Sequence, residues 1–418
     1  MKDNEKVAVI GAGITGITTA YQLYRKGAAV TVFEANPYPA METSYANGGQ
    51  LSASNAEVWN SVPTMIKGVQ WMFSAGAPLL MNPKPSWHKY SWLAEFVSAI
   101  PKYEANTIQT VKWALDARRQ LLEMAEAENI AFDRETTGIL HFYETKKQFD
   151  TAQKVTDLLR KGGLERRAVT PQEITQIEPT LKGEIYGGFY TESDFTGDIH
   201  KYTSALADAC VKRGVQMRLS TVVEKLRADQ GRVEVFSRIE DERGSSSPGQ
   251  HKEVFDKVVI CAGVHSRKFA AMLGDRLNIY PVKGYSITVN LEDESNQAAA
   301  PMTSLLDDDA KLVTSRLGKR RFRVAGTAEF NGFSKDIVWD RINPMLKWCH
   351  KHFPEMSTEN FVSWAGLRPM MPNMLPRVGK GRRPGVFYNT GHGHLGWTLS
   401  GATSDIISEV VVNERRAA

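Results

Sequence analysis

The run Gly11-Ala12-Gly13-Ile14-Thr15-Gly16 narrows what this chain can fold into more than any other feature. A short β-branched stretch, residues 7–10, leads into it. Residues 14–26 leave it with apolar side chains at helical spacing until Gly27, and residues 29–33 read as a second strand ending in Glu34. This is a strand–helix–strand unit, the start of an α/β fold. Gly11 permits the tight turn, Gly13 lets a pyrophosphate approach the backbone, and Gly16 lets the helix pack on the strand. Phosphates would sit at the helix N-terminus, beside Ile14 and Thr15, where free N–H groups and the helix dipole favour negative charge. Glu34, with Ala35 next to it, would accept the ribose hydroxyls and repel a 2′-phosphate. The context predicts a dinucleotide site but does not separate NAD from FAD.

Two further segments favour FAD. Thr43-Ser44-Tyr45-Ala46-Asn47-Gly48-Gly49-Gln50 offers small residues and hydroxyls that could wrap a pyrophosphate and reach a ring system. Asn389-Thr390-Gly391-His392-Gly393-His394-Leu395-Gly396-Trp397 reads as strand, glycine loop and helix. The positive end of that helix could face a flavin pyrimidine ring and stabilise the anionic reduced state. The glycines around His392 and His394 suit backbone approach to a cofactor better than metal ligation, and Cys349, His350 and His352 lack a second ligand pair, so no metal site is expected.

The rest of the chain is mixed. Residues 58–130 read as mainly helical and hold Trp59, Trp71, Trp87, Trp92 and Trp113, five of the nine tryptophans. Strands are expected at 138–143, 187–191, 215–219, 223–228, 232–239, 254–261, 285–291, 312–317, 321–326 and 386–389. Helices are expected at 146–159, 200–213, 343–352 and 398–412. Residues 241–250 read as a polar hairpin loop. The 418 residues suit two domains, expected as a discontinuous Rossmann-like nucleotide domain (1–57, 171–278 and 364–418) and an inserted substrate domain on an antiparallel sheet (58–170 and 279–363). A net charge of +5 without long basic runs does not point to nucleic acid. Three scattered cysteines argue for a reducing compartment. The N-terminal stretch does not read as a signal peptide, and no apolar run is long enough to span a bilayer.

Seven segments then carry a resemblance: 9–16, 42–52 (ETSYANGGQLS), 67–73, 281–286 (PVKGYS), 323–329, 364–369 (WAGLRP) and 389–398 (NTGHGHLGWT). In this order they resemble the small subunit of bacterial D-amino acid dehydrogenase, within the group that includes D-amino acid oxidase, glycine oxidase and sarcosine oxidase. The resemblance implies an FAD domain and an antiparallel sheet covering the flavin. It implies that Arg368 grips the substrate carboxylate. It also implies FAD contacts from Gly11, Gly13, Gly16, Glu34, Ser44, Asn47, Gly48, Gly49, Leu51, Val223, Ala262 with its neighbour Gly263, and the loop Gly393, His394, Leu395, Gly396, Trp397 and Thr398. One departure stands out. The resembling proteins often carry a tyrosine just before the lysine of the 307–311 segment, where this chain has Ala310, which might enlarge the pocket or shift its lid.

The expected reaction is oxidative deamination of a D-amino acid to a 2-oxo acid and ammonia, with hydride passing from Cα–H to flavin N5. Arg368 would fix the carboxylate with its planar fork. Tyr285, His392 and His394 could line the pocket, and no general base is required. FAD would be held non-covalently. Electrons would go to a quinone or other respiratory acceptor, which suggests a cytoplasmic protein peripheral on the inner face of the membrane. Residues 59–92 could lie in a bilayer interface or form a core and lid over the flavin. An oxygen-using oxidase of glycine, sarcosine or proline-type amines remains the alternative.

Overall fold

The computed structural model describes residues 5–71, 78–240 and 251–414. The first strand–helix–strand unit forms as the sequence predicts: Lys6–Ile10, Ile14–Arg25 and Ala29–Phe33. Four of five residues in each strand are buried, as parallel strands covered on both faces require. They sit inside a six-stranded sheet ordered Arg377–Lys380, Val386–Thr390, Lys257–Ile260, Lys6–Ile10, Ala29–Phe33, Gln216–Arg218. All neighbours are parallel except the Arg377–Lys380 edge.

A larger mixed sheet stands beside it. Its order is Phe361–Met370, Tyr280–Asn290, Arg321–Phe330, Leu312–Arg316, Ser304–Asp307, Ile139–Tyr143, Gly187–Thr191, Arg167–Val169, with Leu79–Met81 paired to the end of Arg321–Phe330. Helix Trp339–His352 covers one face through Ile342, Met345, Trp348 and Cys349. The other face looks toward the six-stranded sheet. Thr221–Asp229, Arg232–Ile239 and His251–Phe255 form a small antiparallel sheet.

Several expectations are corrected. Residues 254–261 are not one strand: His251–Phe255 ends the small sheet and Lys257–Ile260 enters the six-stranded one. Asp256 makes the break, donating its N–H to the Lys6 carbonyl (2.9 Å) and accepting from the Lys6 N–H on its carboxylate (3.0 Å). The WAGLRP segment, not read as a strand, lies within Phe361–Met370, and PVKGYS opens Tyr280–Asn290. The sheets also divide elsewhere than the expected boundaries. Gly187–Thr191 pairs with Ile139–Tyr143 in the large sheet, and so does 364–370 through Tyr280–Asn290. The long helix Tyr103–Ala127, assigned to the substrate domain, instead packs on helix Gly396–Val412. Leu121 and Met124 join the same core as Ile17 and Ile407, and a Cβ on Gly401 would come within 2.5 Å of the Ala117 carbonyl oxygen. Side-chain packing decided these placements, and periodicity alone does not report the partner.

The tryptophan-rich stretch splits in direction. Trp92 is buried, with its N–H on the Met370 carbonyl (2.8 Å), while Trp87 is 83% exposed. The polar loop expected at 241–250 lies outside the described residues. All three cysteines are buried and free. His350 bonds Thr358 and His352 bonds the Lys182 carbonyl; among the described residues no group of three His, Cys, Asp or Glu side chains could hold a metal.

Candidate active site

Between the two large sheets lies one cavity of about 1890 Å³. Its first end is made of backbone. Gly11 leaves its strand at φ +104°, and a Cβ there would press within 2.8 Å of the Cys261 carbonyl oxygen. At Gly16 a Cβ would fall 1.9 Å from the Gly11 carbonyl oxygen, so helix and turn touch only because Gly16 lacks a side chain. The N–H groups of Ala12 (2.7 Å) and Asn36 (2.9 Å) donate to the Glu34 carboxylate, which holds it at the mouth of the turn. Ser44 Oγ accepts from the Ile14 N–H at the helix start (3.0 Å), and a Cβ on Gly13 would stand 3.4 Å from it. That cradle, a helix N-terminus and a carboxylate at the end of the second strand fit an adenine dinucleotide.

The loop holding Thr43, Ser44, Asn47, Gly48, Gly49 and Gln50 continues the wall. It hangs from the large sheet. Thr43 Oγ1 donates to the Leu367 carbonyl (3.0 Å), Ser286 Oγ to Ala46 (2.8 Å), Arg323 to Asn47 (3.3 Å) and Ser315 Oγ to Gly48. Cβ atoms on Gly48 and Gly49 would collide with Val313 and Ser315. Thr15, Ala35, Val223, Ala262 and Gly263 line the opposite side. The turn Gly393–Leu395 and the start of helix Gly396–Val412 close the far wall, with Thr398 Oγ1 reaching the Gln50 carbonyl (3.4 Å). The cavity reaches neither Gly16 nor Leu51; Leu51 is buried in the hydrophobic core. Leu395 and Trp397 meet the cavity, but their side chains pack into cores, Trp397 against Phe132 and Tyr202.

The second end is made of side chains. Strand Arg321–Phe330 carries a bulge opposite Tyr280–Asn290, where pairing shifts between Lys283 and Tyr285, and Thr327 takes the left-handed conformation (φ +56°). The bulge presents two carbonyls, Thr327 (2.7 Å) and Gly326 (3.3 Å), to the half-buried Arg368 guanidinium. Gly284 leaves the space: a Cβ there would lie 2.4 Å from the Arg368 Cζ. Burial alone lowers this guanidinium to about 10, and no carboxylate contributes. It stays cationic at neutral pH, with neutral partners and an unmatched charge.

Tyr285 is not beside it. Successive strand residues point to opposite faces. Arg368 shares its face with Gly284, whereas Tyr285 packs with Ile287, Met345 and Trp348. Its hydroxyl donates to Glu329 (2.6 Å), whose other oxygen pairs with the buried Lys283 (3.0 Å). Burial and Glu329 raise its pKa, so it stays a phenol. His392 meets the cavity, and its Nε2 bonds Thr403 (2.9 Å). His394 also lines the cavity and stacks on Trp59, with ring centroids 4.6 Å apart. Burial, then the Arg368 charge, pulls it down to about 3 against a contact with the Asn55 backbone, so the ring is neutral.

Sequence reasoning missed the wall beyond His394. Asn55 ends the short turn Ala53–Asn55 and Glu57 and Trp59 follow it; all three are half-buried and meet the cavity, as do the buried Val58 and Asn60. Tyr103 donates its hydroxyl to Glu57. Past it lies a buried chain. Ser54 bonds His141 (3.0 Å), His141 faces Asp308 (3.7 Å), Tyr143 donates to Asp308 (2.7 Å), and Arg166 bonds Tyr143 (3.2 Å). Burial, then Arg166, lowers His141 to about 4. Burial would raise Asp308, but Lys311, His141 and Tyr143 outweigh it and hold it well below the usual carboxylate range. The period-two exposure of 55–59 follows a Ser-Ala-Ser-Asn run with no strand signal.

Comparison with known proteins gives one consistent picture. Residues 6–410 match the DAO family, described as FAD dependent oxidoreductase. The chain is 57% identical over 410 residues to D-amino acid dehydrogenase 3 of Mesorhizobium japonicum, covering 98% of this chain and 97% of that one. It is 36% identical to D-amino acid dehydrogenase of Paramagnetospirillum magneticum, covering 97% and 94%. Among solved structures, glycine oxidase from Geobacillus kaustophilus superposes with a TM-score of 0.75 at 20% identity over 100% and 96% of the two chains. L-proline dehydrogenase from P. horikoshii gives 0.74 at 15% identity over 98% and 94%.

Proposed function

This chain belongs to the DAO family of FAD-dependent oxidoreductases, and on that premise we propose that it dehydrogenates D-amino acids. The single observation that carries the reading is Arg368, a cationic guanidinium facing the cavity with only carbonyls for partners. A half-buried cation without an anion calls for one from outside, and a planar fork suits a carboxylate. The relatives named D-amino acid dehydrogenase support the substrate class.

In this reading the six-stranded half holds FAD through Gly11, Gly13, Ile14, Thr15, Glu34, Ser44, the Asn47–Gln50 turn, Val223, Ala262, Gly263 and the 393–398 loop. The large sheet holds the substrate. Bound flavin supplies the two-electron acceptor for the substrate C–H bond. Arg368 fixes the carboxylate and thereby the direction of Cα–H. His394 and Trp59 form an uncharged plate that keeps water from the reacting carbon and offers no proton at neutral pH. The released imino acid hydrolyses to a 2-oxo acid and ammonia.

The reading extends to a quinone or other respiratory acceptor. Exposed Val62, Ile66, Trp87 and Tyr90, near the exposed Lys67 and Lys84, support contact with an anionic membrane surface. Among the described residues no helix is long and apolar enough to cross a membrane. The test is anaerobic flavin bleaching with a panel of D- and L-amino acids, glycine, sarcosine and proline. Selective bleaching by D-amino acids is expected; bleaching by glycine or sarcosine alone would overturn the substrate class. Dye reduction without peroxide release separates a dehydrogenase from an oxidase, and loss of liposome binding at high salt checks the membrane contact.

A further inference from the structure

We propose that Glu57 is the side-chain selector of this site, an acceptor at the far end of the substrate space that favours D-amino acids whose long side chains end in a cation. The inference rests on Arg368 holding the substrate carboxylate.

Three observations support it. First, Glu57 has an oxygen to spare. It lines the cavity and receives the Tyr103 hydroxyl on Oε1, and among the described residues Oε2 accepts no hydrogen bond and no cation lies within ion-pair distance. An enclosed carboxylate without a cation is costly, and a charge-assisted partner relieves that cost. The neighbouring acid, Asp308, is already matched by Lys311 (3.4 Å) and Tyr143 (2.7 Å). Arg166 is occupied by the Tyr143 hydroxyl and lies over the Phe189 ring.

Second, Glu57 is placed for a side chain and not for the reacting amine. Glu57 lies two residues from Trp59, whose ring stacks on His394 (centroids 4.6 Å), and takes its hydrogen bond from Tyr103 at the start of helix Tyr103–Ala127, whereas Arg368 is held by the Thr327 and Gly326 carbonyls of the large sheet. An α-amine sits on the carbon adjacent to the carboxylate, so a substrate anchored on Arg368 keeps its amine near that end. Only its side chain can extend past His394 and Trp59 to Glu57.

Third, the cavity has room. Its volume is about 1890 Å³, and Ala310 contributes only a methyl group to its wall at the turn beside Asp308 and Lys311. A small apolar side chain would leave Glu57 facing empty, desolvated space.

The test compares D-lysine with D-norleucine, which lacks the terminal ammonium, by anaerobic flavin bleaching of the FAD-loaded enzyme. Wild type is expected to favour D-lysine in kcat/KM by tenfold or more. Glu57→Gln keeps an acceptor for Tyr103 but removes the charge, and it should lower the D-lysine to D-norleucine ratio by at least tenfold. Tyr103→Phe, which removes the protein's own donor to Glu57, should move the ratio the other way. An unchanged ratio in both variants, or a wild-type preference for D-norleucine, overturns the role of Glu57 while leaving D-amino acid dehydrogenation standing. No bleaching by any D-amino acid overturns the reading beneath it as well. A shifted flavin spectrum in Glu57→Gln with an unmoved ratio would assign Glu57 to the cofactor and refute the proposal.

Discussion

At the cofactor end of the cavity the walls are main chain: the turn at Gly11 and Gly13, the Gly48-Gly49 loop, the 393–396 turn and two helix N-termini. At the substrate end they are side chains, Arg368, His394, Trp59, Glu57 and Tyr103, delivered by segments far apart in the chain. The first end tolerates almost no added atom, because a Cβ at Gly11, Gly16, Gly48 or Gly49 meets its neighbours at 2.8 Å or less. The second holds polar groups without a direct partner of opposite charge among the described residues, the Arg368 guanidinium and the Glu57 carboxylate. Rigid backbone suits a ligand that stays, and unsatisfied side chains suit one that comes and goes.

The contrast can be broken by mutation. Arg368→Ala should cut kcat/KM for D-amino acids by about three orders of magnitude, corresponding to ~4 kcal/mol for a lost buried charge partner, with flavin still bound. Steady-state kinetics beside flavin absorbance checks it; near-normal kcat/KM would remove Arg368 from the site. Gly16→Ala should do the reverse, destabilising the fold by ~3 kcal/mol through overpacking against Gly11 and releasing flavin, as thermal melting and bound absorbance would report. Gly284→Ala sharpens the comparison, since the three atoms nearest its Cβ all belong to the Arg368 guanidinium. About a thirtyfold fall in kcat/KM, ~2 kcal/mol, is expected with flavin affinity intact; lost flavin would mean the two ends are not separable.

The effect smallest at neutral pH is acid sensitivity. His141, His392 and His394 are held neutral in the fold, at about 4, about 3 and about 3, chiefly by burial. Unfolded, each titrates near ~6.5. As pH falls below that value the unfolded chain binds protons the folded chain refuses. Stability is therefore lost on acidification, by at most ~1.4 kcal/mol per pH unit for each histidine, until the folded values are reached. His392→Gln, which keeps a polar side chain toward Thr403, should flatten the melting temperature against pH by one histidine's share. An unchanged slope would mean that His392 titrates normally in the fold.

The legible part of the molecule follows the same division. Residues 11–16 announce themselves because turn, phosphate approach and helix packing are solved within six consecutive positions. The strands at 29–33, 232–239 and 386–390 were readable because their apolar residues are contiguous or alternate. WAGLRP was recognisable as a motif but not as a strand, since its Gly366 and Pro369 weaken any strand signal. Residues 254–261 looked like one strand because nothing local marks Asp256 as the point where two sheets part. Tyr285 was expected to line the pocket; it meets the cavity, but strand alternation with the bulge at Thr327 sets it on the face opposite Arg368.

The sequence by itself determined the dinucleotide turn and the family the chain resembles, because each lives in short runs of specific residues; the reading of Arg368 as a clamp came with the resemblance. Only the tertiary structure decided which half helix Tyr103–Ala127 supports, which face Tyr285 takes, and that Glu57, Tyr103, Asp308 and His394 look into one cavity. Those facts depend on contacts between residues hundreds of positions apart, where burial and sheet pairing choose among arrangements that local pattern leaves equal.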